Sequence, residues 1–322
     1  MRENFSEQPS FREKLKNWSR VGIAGALLFY GGLTEQYRAA AQGRAMLRPV
    51  AERSDEGPKE TSVEDVRAGL LTDKTERSFY RIGHNRPDSL RALGTTTETN
   101  GFIPDSEVDQ IVADNPGAKE IEVLHTHPIE SYKIVLPDQA IADVQNHRAE
   151  AVPMPPSFLD YLALAHLDER YKGISFKGEI IAMNGKFTYT VDIHSKLFQG
   201  MRTMRVEGER LLSSLSDSEQ DIISQVLAQG VDRRLIVSNL MGTSEGEPHY
   251  KEKIALGKKL SHAMEQLSEK YTAIDEAATR IEELDAQIVQ TNPADKPKVQ
   301  GLIAELQELC KQNGIILEYK PL

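Results

Sequence analysis

The segment Lys119-Glu120-Ile121-Glu122-Val123-Leu124-His125-Thr126-His127-Pro128 decides how the rest of the chain is read. Its β-rich apolar run is that of a strand, and Pro128 ends it. Side chains two apart on a strand share a face, so His125 and His127 emerge together and both imidazoles reach one metal ion. Upstream lie SVEDVRAGLL (62–71) with helical character, RSFYRIG (77–83) and SLRALGTTT (89–97) as strands, and DSEVDQIVADNPG (105–117) as a helix stopped at Pro116-Gly117. Downstream, Ser157 to Tyr171 carries a helix, and GEIIAMNGKFTYTVD (178–192) reads as a hairpin turning at Asn184-Gly185. Helix and strand signals alternate, which predicts an α+β (α/β-like) domain over residues 63–195.

The helix after Pro155-Pro156 opens with Ser157-Phe158-Leu159-Asp160, so Ser157 takes the N-cap and Asp160 the third helical position. An ordinary capped helix explains that pattern by itself. Together with the two histidines it also supplies a carboxylate and a hydroxyl. Two His and one Asp, with water in the fourth position, form the open ligand set of a catalytic zinc site. The chain has one cysteine, Cys310, which excludes an intrachain disulfide and a cysteine-based zinc cluster.

HTHP at a strand end, then PPSFLD opening a helix, then a hairpin, resembles the JAMM (MPN-type) zinc metallopeptidase family over about residues 61–195. That family's motif is a Glu, then H-x-H-P, then S-x-x-D. The resemblance implies an MPN-type mixed sheet with flanking helices, Zn2+ held by His125, His127 and Asp160, and Ser157 as a donor to the oxyanion. It also implies a Glu general base at the start of the first strand, acting on a zinc-activated water to cleave a peptide or isopeptide bond. Glu76, directly before RSFYRIG, holds that place. Glu98 in TTTETNGFIP is the alternative, since it matches the family's E-x-x-G-F wording. The sequence departs from the family in one respect: 29 residues separate His127 from Ser157, more than the family pattern has. The resulting insertion, 129–156, predicts a short helix from Asp138 and a lid, a substrate-recognition element or a displaced site.

The flanks differ from this domain. Residues 1–48 carry eight basic and four acidic side chains, a local +4 that leaves −14 of the total −10 for the remainder. Their apolar run Val21 to Leu33 follows a basic stretch and precedes Ala39-Ala40-Ala41, the layout of an exported or membrane-anchored N-terminus. A buried or amphipathic helix in a cytoplasmic protein is the other reading, and thirteen residues are short for a membrane span. Residues 49–62 read as a linker. Beyond Ser195 the sequence predicts an all-α region, 196–322, with a capping box at Ser216–Glu219. Its long apolar stripe from Leu260 to Ile288 and a second one from Val299 to Leu309 predict a helical hairpin or short coiled coil. Such an arm offers either packing within the chain or self-association, and the metal site is expected to survive its removal.

Net charge −10, from 39 basic against 49 acidic residues, disfavours nucleic acid as a partner and weakens a reading as the DNA-associated RadC-like branch of the family. A protein or peptide substrate is expected instead. The rival from a different class is an inactive MPN-type scaffold that binds partners through its C-terminal helices. Relatives of that kind lose metal ligands, whereas His125, His127 and Asp160 are all present.

Overall fold

The computed structural model describes residues 60–73, 75–83, 89–93, 105–134, 136–147, 150–229 and 236–321. The apolar stretch 21–33 and Glu98 therefore lie outside the described residues. The fold is mixed α+β, a seven-stranded mixed sheet with helices, and its C-terminal region is mostly helical. The described chain divides into two compact units, one holding 60–198 with 281–321 and the other holding 199–280.

In the first unit the elements run β1 (Glu60–Ser62), α1 (Val63–Gly69), β2 (Ser78–Ile82), β3 (Ser89–Ala92), α2 (Asp105–Asp114) and β4 (Glu120–His127). A 3-10 turn (Ile129–Ile134) and α3 (Asp138–Gln145) follow, then α4 (Phe158–Arg170), β5 (Ser175–Ala182) and β6 (Gly185–Val191). After α5 (Lys196–Ser213) the chain enters the second unit, with α6 (Asp217–Ala228), α7 (Ile236–Met241) and α8 (Tyr250–Lys270). It returns through α9 (Thr272–Gln290) to α10 (Lys296–Gln312) and β7 (Ile315–Pro321).

Sheet order is β1-β3-β2-β4-β5-β6-β7, with β4 and β5 parallel and every other neighbouring pair antiparallel. A parallel pair needs a crossover. Here the crossover is the 129–156 insertion together with α4. Alternation then sorts β4: Leu124 joins Phe79, Leu90 and Ile181 in a cluster with Val66 of α1 and Leu70, the residue that caps it. The opposite face of the sheet meets α4, where the Tyr161 ring stands edge-on to Tyr189 of β6 at 5.2 Å between centroids. Gly178 of β5 faces Tyr189 in register, and a β-carbon there would run into the Tyr189 ring.

Several expectations are corrected by these elements. Residues 60–62, assigned to the linker, form β1 and pair with β3. The region after Ser195 is not all helix, because β7 pairs with β6 along its whole length, from Ile315↔Val191 to Pro321↔Gly185. Its signal is a period of two: Ile315 and Leu317 are buried while Ile316 is 62% exposed. Gly314, at φ 81, ends α10 and lets the chain turn into that strand. The stripe from Leu260 to Ile288 is carried by two helices, since α8 ends at Tyr271 (φ −115, ψ 34) and α9 starts one residue later. A break that short leaves the 3.6-residue period almost unchanged on either side.

The second unit follows its local signals. Ser216 and Glu219 form the reciprocal capping box of α6, and Glu219 also meets Lys259 of α8 at 2.9 Å. Helix α7 packs on α6 and α8. Among the described residues no helix is long and apolar enough to cross a membrane.

Gly178→Ala is expected to cost about 1–3 kcal/mol in chemical denaturation, the range for overpacking a filled core. Gly301→Ala, on α10 with open space around it, is expected to stabilise by up to about 1 kcal/mol through helix propensity.

Candidate metal centre

The site forms where β4 ends. His125 and His127 are each 5% exposed and present their Nε2 atoms 3.1 Å apart, with ring centroids 4.9 Å apart. Antiparallel pairing supplies the third group: β2 places Ser78 opposite His125, and Arg77 then exchanges contacts with Thr126 through its N–H (2.9 Å to Oγ1) and its carbonyl (3.0 Å from the Thr126 N). One more step back along that register brings Glu76 level with His127. Its Oε1 lies 3.9 Å from His127 Nε2. The ligand atoms of Glu76, His125 and His127 all fall within 4.8 Å of one another, so this largely buried group is able to hold a metal ion.

Asp160 arrives from the other side on the first turn of α4. Its Oδ2 accepts from both the Ser157 N–H (2.7 Å) and the Ser157 hydroxyl (2.8 Å), while Oδ1 lies 3.4 Å from His125 Nε2. A tetrahedral ion with bonds near 2.0–2.1 Å needs donor atoms roughly 3.3 Å apart. The His125–His127 and His125–Asp160 separations fit that edge, and the His127–Glu76 separation is longer. Ser157 is exposed, and its hydroxyl is engaged with Asp160.

Electrostatics keep the donors ready. Burial is the main cause that pushes both imidazoles below the ordinary histidine range, opposed at His125 by Glu76. His127 falls to about 4, with His125 adding to the depression while Asp160 and the Met154 carbonyl oppose it. Neutral imidazole is the form that ligates a metal. The His127 Nδ1 sits 3.3 Å from the Met154 carbonyl oxygen, and an N–H there leaves the Nε2 lone pair directed at the site.

Three features were not anticipated from the sequence. Ser131, in the 3-10 turn, donates its hydroxyl to Glu76 Oε1 at 3.0 Å. Tyr132, fully buried, bonds the loop that carries Met154. Asp285 on α9 has both carboxylate oxygens buried without a hydrogen-bond partner among the described residues, and burial, then Glu282 and Asp160, hold its carboxyl well above the usual range. Ser131 and Tyr132 carry no periodic signal and only tertiary contact distinguishes them, whereas Asp285 is a carboxylate on the apolar stripe of α9, four after Ile281 and three before Ile288. Burial, joined by Asp285, pushes the Cys310 thiol up to about 12, which makes it unsuited to act as a nucleophile.

Comparison with family models, with curated proteins and with solved structures returned no match.

In protein freed of divalent ions by a chelator, His127 gives a defined pH dependence. Its folded pKa is below the unfolded value, so between about 6.5 and about 4 the unfolded chain binds more protons and stability is lost as pH falls. The loss is of order 3 kcal/mol across that window. Thermal unfolding followed from pH 7 to pH 4 should show it, and His127→Gln should flatten the slope; equal slopes would refute the assignment.

Proposed function

We propose that this chain is a zinc-dependent hydrolase of peptide or isopeptide bonds, with His125, His127 and Asp160 as ligands and Glu76 as general base. The observation that carries the reading is the grouping of two neutral imidazoles with the Glu76 carboxylate, their ligand atoms within 4.8 Å of one another, with Asp160 Oδ1 reaching the same His125 Nε2 at 3.4 Å. Two nitrogens and an oxygen suit zinc, and a set of three protein ligands leaves a position for the reagent. When bound, zinc supplies a water of lowered pKa and polarises a carbonyl oxygen.

The remaining chemistry belongs to side chains. Glu76 stands farther from His127 than a ligand edge requires, which suits a carboxylate that works on a water. It takes the proton of the attacking water and returns it to the leaving amine, a role worth about 10² to 10⁴-fold in rate. Ser131 fixes which oxygen of Glu76 faces His127. Ser157, at the exposed start of α4, turns its hydroxyl from Asp160 to the oxyanion as negative charge develops there. The resemblance of HTHP and PPSFLD to the JAMM pattern supports the same roles.

Elemental analysis of purified protein is expected to find about one zinc per chain, lost in His127→Ala with Asp160→Ala. Glu76→Gln should keep the zinc and lose about 10² to 10⁴-fold in turnover on an isopeptide-linked peptide. Ser157→Ala should lose about 10² to 10³-fold. Metal retained in the double variant would defeat the ligand assignment. Turnover surviving Glu76→Gln but lost in Glu98→Gln would move the base. Metal bound without any effect of Glu76, Glu98 or Ser157 on cleavage would favour the non-catalytic scaffold.

A further inference from the structure

The insertion between Pro128 and Ser157 begins with the 3-10 turn Ile129–Ile134, directly after the two histidines. That turn is tied down at its start, where the Ile129 N–H donates to the Leu70 carbonyl at 2.8 Å. Tyr132 within it is fully buried, and its hydroxyl makes two bonds of opposite sense. The O–H donates to the Val152 carbonyl at 2.9 Å, and the oxygen accepts from the Met154 N–H at 2.9 Å. One phenol thereby fixes both sides of residue 153. The loop is tied again at Ala151, whose carbonyl accepts from Asn184 Nδ2 at 2.6 Å. At its far end the Met154 carbonyl faces His127 Nδ1 at 3.3 Å.

A metal-ligating imidazole depends on what its other nitrogen bonds, because that partner sets both tautomer and ring orientation. For His127 the partner is a backbone carbonyl on a loop with no regular secondary structure. Such a carbonyl is only as well placed as the loop, and Tyr132 bonds the amide of the same residue that offers it. We propose that Tyr132 is a positioning residue for the metal centre: acting through Met154, it holds His127 as the Nδ1–H tautomer with Nε2 directed at the ion. This rests on the metal-site reading given above. It also assigns the start and end of the insertion a role other than that of a lid, since both are bonded to the centre they follow and precede.

The test uses the full chain and Zn2+ alone. Affinity measured by competition with a chromophoric chelator should fall about 10 to 100-fold in Tyr132→Phe, the range for losing an outer partner of a ligand. Tyr171→Phe, which loses a surface hydroxyl bond to Asp109, should leave it unchanged. Cobalt(II) absorption bands should shift in Tyr132→Phe, a signature that mere loss of stability does not produce. Nitrogen-15 spectra of the histidine rings in metal-free wild-type protein provide a reading that needs no variant, and His127 should carry its proton on Nδ1. An Nε2–H tautomer, or unchanged affinity and cobalt bands in folded Tyr132→Phe, would overturn the proposal while leaving the metal site standing. Wild-type protein that binds no zinc would overturn both.

Discussion

The alternation of side chains along β4 is the constraint on which the rest depends. Leu124 and Thr126 face one side of the sheet and His125 and His127 the other, so burying Leu124 under α1 commits both imidazoles to the face that receives α4. A slip of one residue would bury the histidines among Val66 and Leu70 and turn Leu124 toward Asp160. Fold and site are therefore one decision. The antiparallel neighbour extends it, because the same register that pairs Ser78 with His125 brings Glu76 level with His127.

That register is held by charge as well as by apolar burial. Glu122, 1% exposed, stands directly opposite Arg81 of β2 and Lys177 of β5 and makes an ion pair with each, at 3.5 Å to Lys177. Glu179, also 1% exposed, is met by Arg81 at 3.1 Å and Lys186 at 2.8 Å. Buried pairs of this kind add little net stability over apolar packing, but removing a partner from either carboxylate is costly. Any slipped pairing strands two carboxylates. The lattice thus penalises wrong registers more than it strengthens the right one, and it does so on the face opposite the two histidines.

Residues that announce themselves by spacing were legible in the sequence. His125 and His127 could be read from strand parity, Asp160 from its place three after an N-cap, and the β5–β6 hairpin from Asn184-Gly185, where Asn184 takes φ 57. Glu76 was reached only through the family resemblance, which expects a Glu at the start of the first strand, with Glu98 as the alternative. What escaped was set by tertiary contact. The alternation in β7 is short and follows a strong helical stripe, and its meaning depends on β6 being there to pair with. Tyr132 and Ser131 lie in a segment whose polarity resembles any loop, whereas Asp285, four after Ile281 and three before Ile288, falls on the apolar stripe of α9, a signal that was in the sequence and went unread.

Asp160 shows why the helical C-terminal segment cannot be treated as an appendage. An S-x-x-D pattern at a helix start serves the cap or the site only if one carboxylate oxygen is left for each, and here Oδ2 takes the two Ser157 donors while Oδ1 faces His125. That division demands that the first turn of α4 be held firmly. Phe158 and Tyr161 of that turn are fully buried, and the Tyr161 ring is set against Tyr189 on one side and meets the Cys310 thiol of α10 at 3.8 Å. Tyr189 in turn lies on β6 opposite Leu317 of β7, a strand contributed by the last residues of the chain. Positioning of the carboxylate therefore runs from β7 and α10 through two buried tyrosines to Asp160. Deleting the chain after residue 195 would remove two supports of that turn and expose the edge of β6, and residues 281–321 belong to the same compact unit as the two histidines, so this packing argues against a metal domain that ends near residue 195.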